Sequence, residues 1–225
     1  MLVTERDLEI IRYIDSFGYV AAEQIFNRFK ISQKRGYRRL HLLVAEGYLQ
    51  HKRIFIGRPG IYRGGSQGLA LICDDPERPH RPATIRVATI EHDLMLVDLA
   101  SALVQKYGGT WKTERQIWRE RGFTAVEAKM HVPDGILTLP AGDGDGQKNQ
   151  KIAVELELTA KSGQRLEKII RGYARAAEYT EVWYFVKNLA LAEKIREIAQ
   201  RMTFIKIYLI SEVMTTDGGQ RYTRF

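Results

Sequence analysis

Between Lys151 and Thr159 the chain reads Lys-Ile-Ala-Val-Glu-Leu-Glu-Leu-Thr, and no other stretch restricts its fold so tightly. Apolar and acidic residues alternate there with the period of a strand. Residues two apart in a strand share a face, so Val154, Leu156 and Leu158 turn to one side and Glu155 and Glu157 to the other. Side-by-side carboxylates repel unless a cation or a proton compensates them. A strand whose polar face lies in water would also carry such a pair. The residues ahead sharpen the reading: Val132-Pro133-Asp134-Gly135 opens another strand, Gly135 to Leu139, joined to the first through the loop 141–150. Asp134 would then complete an all-oxygen pocket of the kind Mg2+ and Mn2+ prefer. The spacing predicts that Asp134, Glu155 and Glu157 converge on one divalent ion. Asp143 and Asp145 in the loop look calcium-like, but a calcium loop would need glutamate where Val154 stands, so the loop reads as a hairpin tip.

The segments around this hairpin alternate. A helix is expected from Glu91 to Tyr107, a strand from Thr110 to Trp118, and a helix from Ser162 to Tyr179. The strand Val182 to Val186, the helix Ala190 to Met202 and the strand Phe204 to Ile210 complete the order. Such an order implies a mixed sheet covered by helices. In the helix after the glutamates, Gln164, Lys168, Arg171 and Arg175 form a polar stripe opposite Leu166, Ile169, Ile170 and Tyr173. Lys168, or Lys161 near the helix start, is placed to offer positive charge to a phosphate; an ordinary solvated face would look the same.

Ahead of this region the pattern differs. Thr4 caps a helix carrying Leu8, Ile11 and Ile14, which stops near Gly18. A short helix fits Ala21 to Phe29, and Ser32 caps another that runs to Glu46 and ends at Gly47. A hairpin follows, Tyr48 to Ile56 and Ile61 to Arg63 around the turn Gly57-Arg58-Pro59-Gly60. Helices followed by an arginine-rich hairpin are the layout of a winged helix, whose last helix enters the major groove while the hairpin lies along the backbone. Pro76, Pro79 and Pro82 make 74–83 a stiff inter-domain linker. The expected organisation is therefore a winged-helix domain over 1–73, the linker 74–83 and an α/β domain over 84–225.

Charge agrees with this division. The net charge is +8 with a pI near 9.5, and a basic excess favours polyanions because phosphate contacts release counterions. The excess is concentrated: Lys34, Arg35, Arg38 and Arg39 crowd the last of these helices, and Lys52, Arg53, Arg58 and Arg63 the hairpin. These residues are the candidate DNA contacts. A generic α+β domain with solvated arginines is the bland alternative.

With Pro133-Asp134 on one strand and Glu155-Leu156-Glu157 on the next, the second region resembles the PD-(D/E)xK nucleases. That resemblance implies metal binding by Asp134 and Glu155. The family's usual lysine is absent, and Glu157 stands in its place. A basic winged helix joined to an Asp, Glu, Glu cluster is similar to the MobC-type relaxases and the wider replication-relaxation proteins of plasmids and integrative elements, over roughly Thr4 to Ile210. The resemblance implies that Asp134, Glu155 and Glu157 bind Mg2+ or Mn2+ and direct strand-specific nicking of double-stranded DNA at an origin. It further implies an auxiliary role at Glu91 and His92, where a capping role serves equally; Lys161 and Gln164 are auxiliary candidates by their place at the start of the helix after the glutamates. A homodimer or a relaxosome partner fits the same picture. The alternative is a catalytically inactive DNA-binding protein acting in replication control or as a relaxase accessory.

Other chemistries are poorly served. The lone cysteine, Cys73, excludes an internal disulfide framework and fits a reducing cytoplasm. Neither a Walker pattern nor a GxGxxG occurs. The histidines are scattered, against a zinc cluster. Acids in the first residues, Glu5 and Asp7, argue against a signal peptide, and no membrane insertion is expected.

Overall fold

The computed structural model describes residues 2–54, 57, 60–77, 79–121, 131–141, 149–200 and 202–214. It is a mixed α and β structure that divides into two compact units, Met1–Val97 and Asp98–Phe225. Among the described residues no helix is long and apolar enough to cross a membrane. Arg58 and the loop aspartates Asp143 and Asp145 lie outside the described residues, as does the end of the expected strand at Phe55 and Ile56.

In the first unit, α1 (Glu5–Phe17) begins at a reciprocal cap between Thr4 and Asp7 and stops at Gly18, whose φ of 88° favours glycine. A short strand β1 (Tyr19–Ala21) follows, then α2 (Ala22–Phe29), α3 (Gln33–Ala45), β2 (Leu49–Lys52), β3 (Ile61–Gly64) and α4 (Ser66–Leu71). The strands form an antiparallel sheet in the order β1-β3-β2. Apolar residues at helical spacing, Ile10, Ile11 and Ile14 from α1 with Leu40 and Leu43 from α3, share one core with Ile25 and Leu49. Gly36 lets α3 press onto α2: a side chain there would stand 2.2 Å from the Phe26 ring.

Segment 74–83 does not stand apart as a linker but lies within the first unit, and the division falls inside α5 (Ile90–Tyr107). His80 Nδ1 reaches within 2.8 Å of the buried Asp15 carboxylate, and Arg63 donates to the Ala83 carbonyl at 2.7 Å. Ala83 and Ile85 pack with Tyr19, Ile61, Ile90 and Leu94. Gln24 donates to the Leu94 carbonyl at 2.8 Å. Proline rigidity serves here to lay an extended strap over the core rather than to separate bodies.

The second unit carries the end of α5, then β4 (Thr110–Thr113), α6 (Glu114–Arg121), β5 (Gly135–Leu139), β6 (Gln150–Glu157), α7 (Gly163–Tyr173), β7 (Glu181–Val186), α8 (Leu189–Ala199), β8 (Ile205–Leu209) and the short α9 (Ile210–Val213). Its mixed sheet has the order β4-β5-β6-β7-β8, antiparallel up to β6 and parallel beyond. The strand expected to continue to Trp118 ends at Thr113 instead. Thr113 and Gln116 cap each other, side chain to backbone in both directions, and start α6. Leu166, Ile169 and Ile170 of α7 and Leu191 and Ile195 of α8 cover one face through Ala153, Val182, Tyr184 and Val186. On the opposite face Trp183 meets the rings of Tyr107 and Tyr208. β6 is therefore buried on both sides, and its glutamate face lies beneath helices rather than in water.

Arg39 ties α3 to α1 within the first unit. Its guanidinium grips both oxygens of Asp7, a carboxylate only 2% exposed, and also reaches the Leu2 carbonyl at 2.9 Å. Burial pushes the Asp7 carboxyl up, but the bonds from Arg39 and Thr4 outweigh it and hold the group below its usual value. Removing one partner of a buried pair strands the other, so Arg39→Ala is expected to cost about 3 kcal/mol in urea unfolding. Because the folded-state value is lowered, this contribution is full above the unfolded value near pH 4 and fades as pH falls through the folded one. Asp7→Asn should flatten that acid-side loss; an unchanged acid limb would refute the tie.

Candidate active site

The acidic residues sit where the antiparallel half of the second sheet meets the parallel half. β5 pairs with β6 so that Gly135 faces Val154, which sets Asp134 beside Glu155 at the strand ends. Gly135 is required there, since a side chain would stand 2.0 Å from the Trp111 ring. The Asp134 carboxylate accepts the Leu156 backbone N–H at 2.8 Å, which stitches it to the strand between the two glutamates.

Glu155 is fully buried. The Tyr173 hydroxyl donates to its Oε1, and His131 Nε2 stands 2.6 Å from the same oxygen. Its Oε2 has no hydrogen-bond partner among the described residues, with Lys161 Nζ at 4.0 Å. Burial and the charge of Asp134 push the Glu155 carboxyl up, against the opposing pull of His131 and Lys161. Burial pulls the His131 imidazole down, but its bond to Glu155 and that residue's charge raise it overall, so it serves as a donor. The Tyr173 hydroxyl is driven far up by burial and by Glu155, and stays protonated as a donor. Tyr184 faces Glu155 across the β6–β7 pair, and its buried hydroxyl has no partner among the described residues.

Glu157 follows on the same face, 5% exposed, and is ion-paired with Lys161. Burial pulls the Lys161 ammonium down, but Glu155 and Glu157 hold it above its ordinary value, so it is charged. Lys194 of α8 donates to the Lys161 carbonyl at 2.9 Å and steadies the connection between β6 and α7. A shallow depression lined in part by Glu157, Lys161 and Lys194 opens beside the pair.

Two sequence expectations change here. Lys168 is not the cation of the site: it is exposed, as is Gln164, and both lie on the side of α7 opposite the buried Leu166, Ile169, Ile170 and Tyr173. Lys161 takes that place. Glu157 is engaged by Lys161 rather than gathered with Asp134 and Glu155, and among the described residues no three Asp, Glu, His or Cys side chains form a ready metal shell. A hard divalent ion still suits the donor chemistry: Asp134 and the buried Oε2 of Glu155, which accepts no hydrogen bond among the described residues, offer two carboxylates next to a fixed ammonium. His131, Tyr173, Tyr184 and Lys194 carried no sequence signal, because they reach the site only through tertiary packing.

The remaining candidates sort differently. Glu91 and His92 belong to the first unit, where His92 Nδ1 lies 3.2 Å from Asp93, which also accepts from Tyr19 and Thr89. Of the candidate DNA contacts, Lys34, Arg35, Arg38, Lys52 and Arg53 are exposed. Arg39 and Arg63 are spent on Asp7 and on Gln50 with Ala83, so they act in the fold instead.

Residues 11–188 match the replication-relaxation family. The chain belongs to that family. No curated protein matches it. Membership in that family points to a role in replication and relaxation, and the matched span runs from Ile11 inside α1 past Asp134, Glu155, Glu157 and Lys161.

Removing the ammonium tests the electrostatics of the site. Lys161→Met leaves two buried carboxylates without their cation and should cost about 3–5 kcal/mol near pH 8. Stranded carboxyls titrate above their unfolded values, so protonation relieves them and the deficit should shrink toward pH 5. A deficit independent of pH in urea titrations would contradict this arrangement.

Proposed function

We propose that this protein is a metal-dependent endonuclease that nicks one strand of duplex DNA at a replication or transfer origin. The observation that carries the reading is the placement of Asp134 and the buried Glu155 Oε2, which accepts no hydrogen bond among the described residues, next to the Lys161 ammonium. The second unit's helix, antiparallel strands and parallel β-α-β continuation support a PD-(D/E)xK nuclease fold. The first unit's order α1, β1, α2, α3, β2, β3, with the sheet order β1-β3-β2, supports a winged helix. Its exposed cations on α3 and β2 are suited to a polyanion.

In this reading Asp134 and Glu155 hold Mg2+ or Mn2+, which when bound supplies Lewis acidity toward a phosphodiester. Tyr173 and His131 fix Oε1 of Glu155 and thereby present Oε2. Lys161 takes the role of the missing strand lysine, offering charge to the phosphate as negative charge develops, and Glu157 aims it. A buried tyrosine hydroxyl held protonated by a carboxylate is a poor nucleophile, which favours water over Tyr173 as the attacking group.

A second reading, a catalytically silent DNA-binding protein of replication control, is favoured by the same Lys161–Glu157 pair, which compensates charge without any ion. Incubation with Mn2+ and a supercoiled plasmid bearing the cognate origin separates the two. Open-circular product is expected, abolished by Glu155→Ala, and lowered about 100- to 1000-fold in kcat by Lys161→Met but unaffected by Lys168→Met. Linear product would indicate double-strand cleavage. DNA binding without nicking in Mg2+ or Mn2+ would establish the silent reading.

A further inference from the structure

We infer that Tyr37 and His41 of α3 are the side chains with which the first unit distinguishes one duplex DNA sequence from another. This rests on the reading of that unit as a DNA-binding module. On α3 the buried residues are Gly36, Leu40 and Leu43. Lys34, Tyr37, Arg38 and His41 follow the i, i+3, i+4, i+7 spacing of a single face, and all are exposed. At 1.5 Å per residue this stripe is about 10 Å long. That is roughly the rise of three base pairs.

Charge names the occupant. Lys34 and Arg38 have no carboxylate partner among the described residues, whereas Arg39, one position on, is locked to Asp7. Aromatic geometry then favours a duplex over a single strand. Proteins that hold single strands stack bases on open ring faces. Here the Tyr37 ring packs edge-to-face with Phe26 at 5.0 Å, and His51 stacks on Tyr62 at 4.7 Å, so these surfaces are already engaged. What Tyr37 and His41 present outward is polar: a hydroxyl that donates and accepts, and an imidazole with one donor and one acceptor in its neutral form. Those groups suit base edges in a major groove, while the neighbouring cations suit phosphates. The Phe26 contact also fixes the Tyr37 ring before binding, which lowers the entropy lost on association.

The test is selection of the full chain against a pool of random-sequence duplexes. The wild type should enrich a motif. The double variant Tyr37→Phe with His41→Ala should bind unselected duplex within about threefold of wild type, yet lose about 5- to 100-fold of its discrimination for that motif. Tyr37→Phe keeps the ring against Phe26, so the fold is retained. The inference is overturned if the double variant enriches the same motif as strongly, if the wild type binds duplex without enriching any motif, or if it prefers a single-stranded pool. A wild type that binds no DNA at all overturns the DNA-binding reading as well.

Discussion

A buried carboxylate needs a partner, and Glu155 organises the second unit around that need. Its side chain is fully enclosed, where an isolated charge would be costly. Tyr173, His131 and Lys161 approach it from the end of α7, from the segment before β5 and from the connection after β6. Each of these elements has its own apolar reason to be there, but the charge fixes their registration. A shift of β6 by one residue would turn Glu155 and Glu157 away from their partners and bring Val154 and Leu156 beneath α7.

The first unit solves a related problem with Arg39 and Asp7. Both units bury a carboxylate and fix it with a cation from elsewhere in the same unit, yet the outcomes differ. Asp7 has both oxygens engaged by Arg39, which leaves a finished structural tie. Among the described residues Glu155 keeps one oxygen without a hydrogen bond, next to a second carboxylate. Incomplete satisfaction of a buried polar group is where chemistry, rather than stability, becomes the better explanation. The same sorting applies to the basic residues: a guanidinium committed to a buried acid is lost to a partner, and the exposed lysines and arginines of α3 and β2 remain.

Much of this was legible in the residues themselves. Alternation between Lys151 and Thr159 located β6, and the caps at Thr4 and Ser32 located α1 and α3. The Thr113-to-Gln116 spacing that starts α6 was equally visible but was read as strand, because Thr110 to Thr113 does continue one. β1 is too short to show a period. The alternation is compatible with both a solvated and a covered glutamate face, since nothing local reveals that Leu166, Ile169 and Ile170 find their surface over Ala153 and Tyr184. Likewise Lys161 and Lys168 are indistinguishable by charge. Only the path of the chain after β6 brings the former back to Glu157 while the turn of α7 carries the latter outward.

In the proposed reading Asp134 and Glu155, not Glu157, form the cation-binding pair, with Lys161 as their neighbour. A crystal soaked in Mn2+ and read by its anomalous signal tests it most directly. A single peak is expected in contact with Asp134 and Glu155 Oε2, with Lys161 still on Glu157. A peak that expels Lys161 and takes Glu157 as a ligand, or no peak at the cluster, would contradict it.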